Sequence, residues 1–112
     1  MKPSVAQLIR KRDVSCFHCG ETDRLVIHHR KNKRMGGSKI LDRADNLMMI
    51  CSYWNGLIES DAVAANTARD WGHKLSSWDG FEMPVFDHPT RTWWKLDKLG
   101  GKEQTDAPSY LI

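Results

Sequence analysis

The sequence predicts a small α+β domain in which two short strands lead into a helix, with a short helix before them and a β-hairpin after. Three observations carry this expectation. Leu25-Val26-Ile27 is an apolar, largely β-branched run between Asp23-Arg24 and the pair His28-His29, and it reads as a strand ending at the histidines. Asn46-Leu47-Met48-Met49-Ile50 reads as a second strand. Trp54, Leu57, Ile58, Ala62, Ala65 and Ala68 then recur at helical spacing and supply one apolar face.

Taken in order, Ser4 is a candidate N-cap for a helix over about Val5 to Arg12. Its basic end leads into Cys16-Phe17-His18-Cys19, a knuckle closed by Gly20. Residues 30 to 45 are polar, basic and marked by Gly36-Gly37, so they read as a long loop. A long irregular loop in a small domain is usually functional. Ser52 is a candidate N-cap for a helix running to about Trp71, with Gly72 as its stop. Glu82 to Phe86 and Arg91 to Leu96 pair as a hairpin across Asp87-His88-Pro89-Thr90, and from Gly100 onward the chain reads as a loose tail. The expectation is one domain over 1–112, with the strand–strand–helix unit at about 14–72, the hairpin at about 80–97 and the tail at 100–112.

A chain of 112 residues can bury one modest core. A hydrophobic fraction of 40% with five Trp argues for a folded chain rather than a disordered one. No apolar run reaches the length of a membrane span, and Met1-Lys2-Pro3 leads into a polar stretch unlike a signal peptide. The expected setting is therefore the cytoplasm, where a CxxC is more often a metal knuckle than a disulfide. Charge is uneven: residues 1–34 hold nine Lys or Arg against three Asp or Glu, within a net charge of +3. Basic charge beside a histidine pair suits a polyanion such as nucleic acid.

The ordered set of Cys16-x-x-Cys19, His28-His29, Asn46, Cys51 and Trp54-Asn55 resembles the motif of the HNH (ββα-metal) endonucleases. It is most similar to the small HNH proteins encoded by tailed phages of actinobacteria. The supporting stretches are Val26-Ile27-His28-His29-Arg30, Arg34-Met35-Gly36-Gly37-Ser38 and Trp54-Asn55-Gly56-Leu57-Ile58-Glu59-Ser60, and the resemblance covers roughly residues 10 to 96. It implies a small ββα-metal domain that hydrolyses DNA phosphodiesters with one divalent cation (Mg2+, Mn2+, Ni2+ or Zn2+). It further implies DNA as partner, with phage terminase as a second partner by analogy.

Phosphodiester hydrolysis needs a deprotonated water, a cation on the phosphate and help for the departing oxygen. His29 is the candidate general base, since histidine alone ordinarily titrates near neutrality. The resemblance makes His28 a metal ligand and Asn55 a second, through its amide oxygen. Asn46 is expected to brace the loop and orient His29. Neighbours in a regular strand face opposite ways, so both histidines serve one site only if the strand ends or distorts there. Arg30, Lys31, Lys33, Arg34, Lys39 and Arg43 are candidate DNA contacts, holding phosphates in a salt-dependent manner.

Cys16, Cys19 and Cys51 are expected to cluster, but Trp54 stands where relatives with a structural zinc place the fourth ligand. Either His18, His73 or an outside group completes a zinc site, or zinc is lost and Trp54 fills the space. Otherwise His18, His73 and His88 read as ordinary surface or core residues. Trp71, Trp78, Trp93 and Trp94 can stack bases but read first as core bulk, with at most one of the adjacent Trp93 and Trp94 facing inward. The competing functional readings are a DNA-binding adaptor without turnover and a zinc-ribbon-like interaction module.

Overall fold

The computed structural model describes residues 1–32 and 38–111, without the side chains of Ser38 and Lys39. β1 (Leu25–His29) pairs antiparallel with β2 (Leu47–Cys51), placing Val26 opposite Ile50 and His28 opposite Met48. A second antiparallel sheet holds β3 (Val85–Asp87), β4 (Thr92–Leu96) and β5 (Lys102–Thr105), in that order. The chain is thus an α+β domain with two small antiparallel sheets. Among the described residues no helix is long and apolar enough to cross a membrane.

Every residue of β2 is buried, and the side chains from Leu47 to Ile50 divide by parity as a pleated strand requires, Cys51 at the strand end departing from it. Leu47 and Met49 pack with Ile9 and Ala44, whereas Met48 and Ile50 join Cys16, Phe17, Cys51, Trp54, Ile58 and Val85. The first group is covered by α1 (Pro3–Arg12), the second by α3 (Ser52–Ser60) and α4 (Ala62–Asp70). A polar clasp ties α1 to β2: Arg12 forms an ion pair with buried Asp13, whose carboxylate accepts the Met49 N–H. Arg12 also donates to the Ala44 and Leu47 carbonyls.

Several local expectations are corrected. Helix α1 starts at Pro3 with Lys2 as its cap, because proline at the first position preorganises the turn and places Ser4 inside it. Cys51, not Ser52, caps α3, its sulfur accepting the Trp54 N–H at 3.4 Å. The single helix expected over 52 to 71 breaks at Asp61, which is extended and caps α4 by accepting from Ala64 N at 2.8 Å. Gly72 follows with φ +73°, and a Cβ there would lie 2.0 Å from the Pro84 carbonyl oxygen, so the stop admits only glycine.

The loop over 30 to 45 contains a short helix α2 (Ser38–Leu41) and a 3-10 turn, Ala44–Asn46. The stretch expected as a loose tail supplies β5, which pairs along β4 from Trp93↔Thr105 to Leu96↔Lys102. Its alternation is polar on both faces, which hides an edge strand from hydropathy reading. Trp94 packs on the core while Trp93 lies 5.0 Å from the Phe86 ring, so one of the pair faces inward.

Candidate functional site

His29 is the last residue of β1, so the pleat no longer dictates where the two histidines point. Both line one small cleft together with Arg30, Asn32, Glu59, Lys74 and Leu75. His28 is buried, and its two ring nitrogens face two oxygens. Nε2 lies 2.7 Å from the His73 carbonyl and Nδ1 lies 3.2 Å from Asn55 Oδ1. A carbonyl can only accept, so the neutral ring places its proton on Nε2 and aims the Nδ1 lone pair at the amide oxygen. Burial lowers the His28 pKa and disfavours a second ring proton.

Two acceptors at that spacing need something positive between them or an amide turned over. An octahedral cation with bonds of about 2.1 Å sets neighbouring ligands about 3.0 Å apart, so the pair fits a shared divalent ion. Glu59 lies one helical turn beyond Asn55 on α3, lines the same cleft, and its negative charge favours protonated His28. Sequence reasoning overlooked this carboxylate, although its four-residue spacing from Asn55 was a readable signal.

His29 is half-buried and its Nε2 lies 2.7 Å from Asp42 Oδ1. Asp42 sits just after α2 and was also overlooked, since a lone acid in a basic loop carries no pattern of its own. Donation from Nε2–H to the carboxylate leaves Nδ1 as the acceptor nitrogen. Asn46 is fully buried. Its Oδ1 accepts the Lys31 N–H at 2.7 Å, and its Nδ2 donates to the Leu41 and Lys31 carbonyls at 2.8 and 3.3 Å. It clasps both ends of the loop after β1, and it reaches His29 through this backbone rather than by a direct bond.

The expected phosphate contacts divide. Arg30 is 1% exposed, which excludes it from a DNA surface. Its guanidinium donates to the carbonyls of Gly72, Asp45, Phe81 and Met83. Burial draws its pKa down to about 10, which still leaves it charged at neutral pH. Lys31 and Arg43 stand 4.6 and 4.4 Å from the Phe81 ring centre, and Arg43 also pairs with Asp45. Lys33, Arg34, Gly36-Gly37 and the Lys39 side chain lie outside the described residues.

The sulfurs of Cys16, Cys19 and Cys51 lie within 4.8 Å of one another, a set able to hold a metal ion such as zinc. Backbone N–H groups of His18 and Cys51 point at Cys16 Sγ, while burial pushes the Cys16 thiol up to about 12. Cys16 and Cys51 are buried and Cys19 is exposed. Trp54 belongs to the same buried cluster as Cys16 and Cys51. Its ring stacks on His18 at 3.9 Å within a cluster that includes Trp71 and His73. No protein-family model, curated protein or solved structure matches the chain.

Proposed function

We propose that the chain is a divalent-metal-dependent DNA endonuclease of the HNH type, built on a ββα-metal unit of β1, β2 and α3. The observation that carries this reading is the Nδ1 lone pair of buried His28 facing Asn55 Oδ1 at 3.2 Å. His28 and Asn55 would hold the cation, with Glu59 available on the next turn of the same helix. Bound there, the cation would neutralise a phosphate oxygen and the charge developing on the departing 3′ oxygen.

The chain's own groups supply the rest. His29 Nδ1 takes a proton from water, and Asp42 holds the ring by Nε2 and stabilises the imidazolium that forms. His73 fixes the tautomer of His28 through its carbonyl, the arrangement that keeps a ligand nitrogen deprotonated. Lys74 supplies positive charge in the cleft for the DNA backbone, and Lys31 and Arg43 supply it in a second depression around Phe81. A phage origin, work in the host cytoplasm and a terminase partner extend this proposal on the motif resemblance alone.

A second reading, a DNA-binding adaptor without turnover, is favoured by the alternative amide orientation. With Asn55 turned over, its NH2 donates to His28 Nδ1 and the pair is satisfied without an ion. Incubating supercoiled plasmid with the protein in EDTA, Mg2+, Mn2+, Ni2+ or Zn2+ separates the two. Nicking or linearisation in at least one metal and none in EDTA is expected. Binding without cutting in every condition selects the adaptor.

A further inference from the structure

Residues 72–83 lack regular secondary structure yet are held at several points by the residues that follow His29. Leu75 N donates to the Arg30 carbonyl at 2.8 Å, and Lys31 Nζ donates to the Ser77 carbonyl at 3.3 Å. The Arg30 guanidinium takes the Gly72, Phe81 and Met83 carbonyls at the two ends of the segment. Within it, Ser76 N donates to Asp79 Oδ2 and Asp79 N donates to the Ser76 carbonyl, closing a tight turn.

Trp78 sits on that turn and is 83% exposed, the most exposed of the large hydrophobic residues described. The four other tryptophans are buried or half-buried, so the expectation of core bulk fails at this position alone. Lys74 and Leu75 line the cleft of His28 and His29, and Phe81 carries Lys31 and Arg43 against its ring. The pinned lip beside the cleft thus carries one cation, Lys74, and two aromatic rings, Trp78 and Phe81; Lys31 and Arg43 lie over the Phe81 ring, and the Asp79 carboxylate is engaged by Ser76 N. Proteins that hold unpaired nucleic acid combine the same elements, cations on the backbone and ring faces under the bases.

We propose that Trp78 stacks on an unpaired base of single-stranded or locally opened DNA whose backbone passes the His28–His29 cleft. The inference rests on the endonuclease reading for the identity of the partner. Aromatic stacking tolerates any base, so it would favour strand state over sequence.

The test compares the full-length wild type, Trp78→Ala and Trp78→Phe in EDTA. Anisotropy with a fluorescein-labelled oligothymidylate and with a matched duplex gives the affinities, and circular dichroism confirms folding. Trp78→Ala is expected to weaken single-strand binding by about five- to a hundredfold, the range for one base–aromatic stack. Trp78→Phe should recover most of that loss, and the duplex should be affected less. The salt dependence should keep its slope, because no phosphate contact is removed. Equal single-strand affinity for wild type and Trp78→Ala overturns the inference, as does a wild type that binds no DNA or a Trp78 effect confined to self-association. Cutting by wild type with an unaffected Trp78→Ala sinks the stacking role and spares the endonuclease. Stacking without cutting in any metal does the reverse.

Discussion

The indole nitrogen of Trp54 donates to Nδ1 of His73 across 3.0 Å in the buried interior. His73 then donates from Nε2 to the Phe86 carbonyl, and its own carbonyl receives His28 Nε2. Trp54, three residues after Cys51, is therefore connected to the histidine pair. Trp54→Phe keeps an aromatic ring, though a smaller one, and leaves the His73 nitrogen without its donor. A loss of about 1–3 kcal/mol in denaturant unfolding is expected. Unchanged stability would show that this bond contributes nothing.

Stability should fall as pH drops below 6.5. Burial lowers both His28 and His73, the latter to about 3, against an ordinary value of 6.5. The unfolded chain therefore binds more protons than the folded one below 6.5, and the contribution present above that pH fades toward the folded pKa. Each group contributes a slope of at most about 1.4 kcal/mol per pH unit. Urea unfolding at pH 7.5, about 6 and about 5 measures it, and a flat profile would mean that the two rings are not held neutral.

Arg30→Met should destabilise the protein by at least about 3 kcal/mol, because four carbonyls lose a charged donor. A well-folded variant with normal stability and a reduced salt slope in DNA binding would instead return Arg30 to the phosphate contacts.

His29→Ala should lower plasmid cleavage by far more than tenfold, each tenfold being about 1.4 kcal/mol of barrier, with folding and DNA binding nearly intact. His28→Ala and Asn55→Ala should raise the metal concentration needed for half-maximal cutting. Asn55→His should keep or raise activity, since imidazole binds borderline cations more strongly. Identical metal titrations for wild type and both alanine variants would remove the pair from the ligand set.

Purified protein is expected to carry well under one zinc per chain. Three thiols and no fourth ligand among the described residues make a weak, partly exposed site, and metal binding must also displace the Cys16 proton. Chelation should then leave Tm nearly unchanged. Stoichiometric zinc by elemental analysis, with unfolding in EDTA, would reveal a fourth ligand.

Short-range periodicity encodes part of this fold. β1, β2, the helical character after Cys51 and the stop at Gly72 follow from side-chain spacing and from the one residue type that tolerates the turn. Proximity of Cys16, Cys19 and Cys51 was legible too, because pairing β1 with β2 brings Cys51 back toward the first knuckle. The rest depends on where the chain returns. Arg30 sits in a basic run and looks like its neighbours, yet the segment 72–83 folds over it and removes it from solvent. Asp42 and Glu59 reach His29 and the cleft from other elements, and His73 becomes the support of His28 from 45 residues away. Trp78 is apolar like the four other tryptophans but stands on a turn that backbone bonds hold away from the core. Residue type sets the chemistry a side chain can do, and long-range hydrogen bonds and burial decide which of it is used.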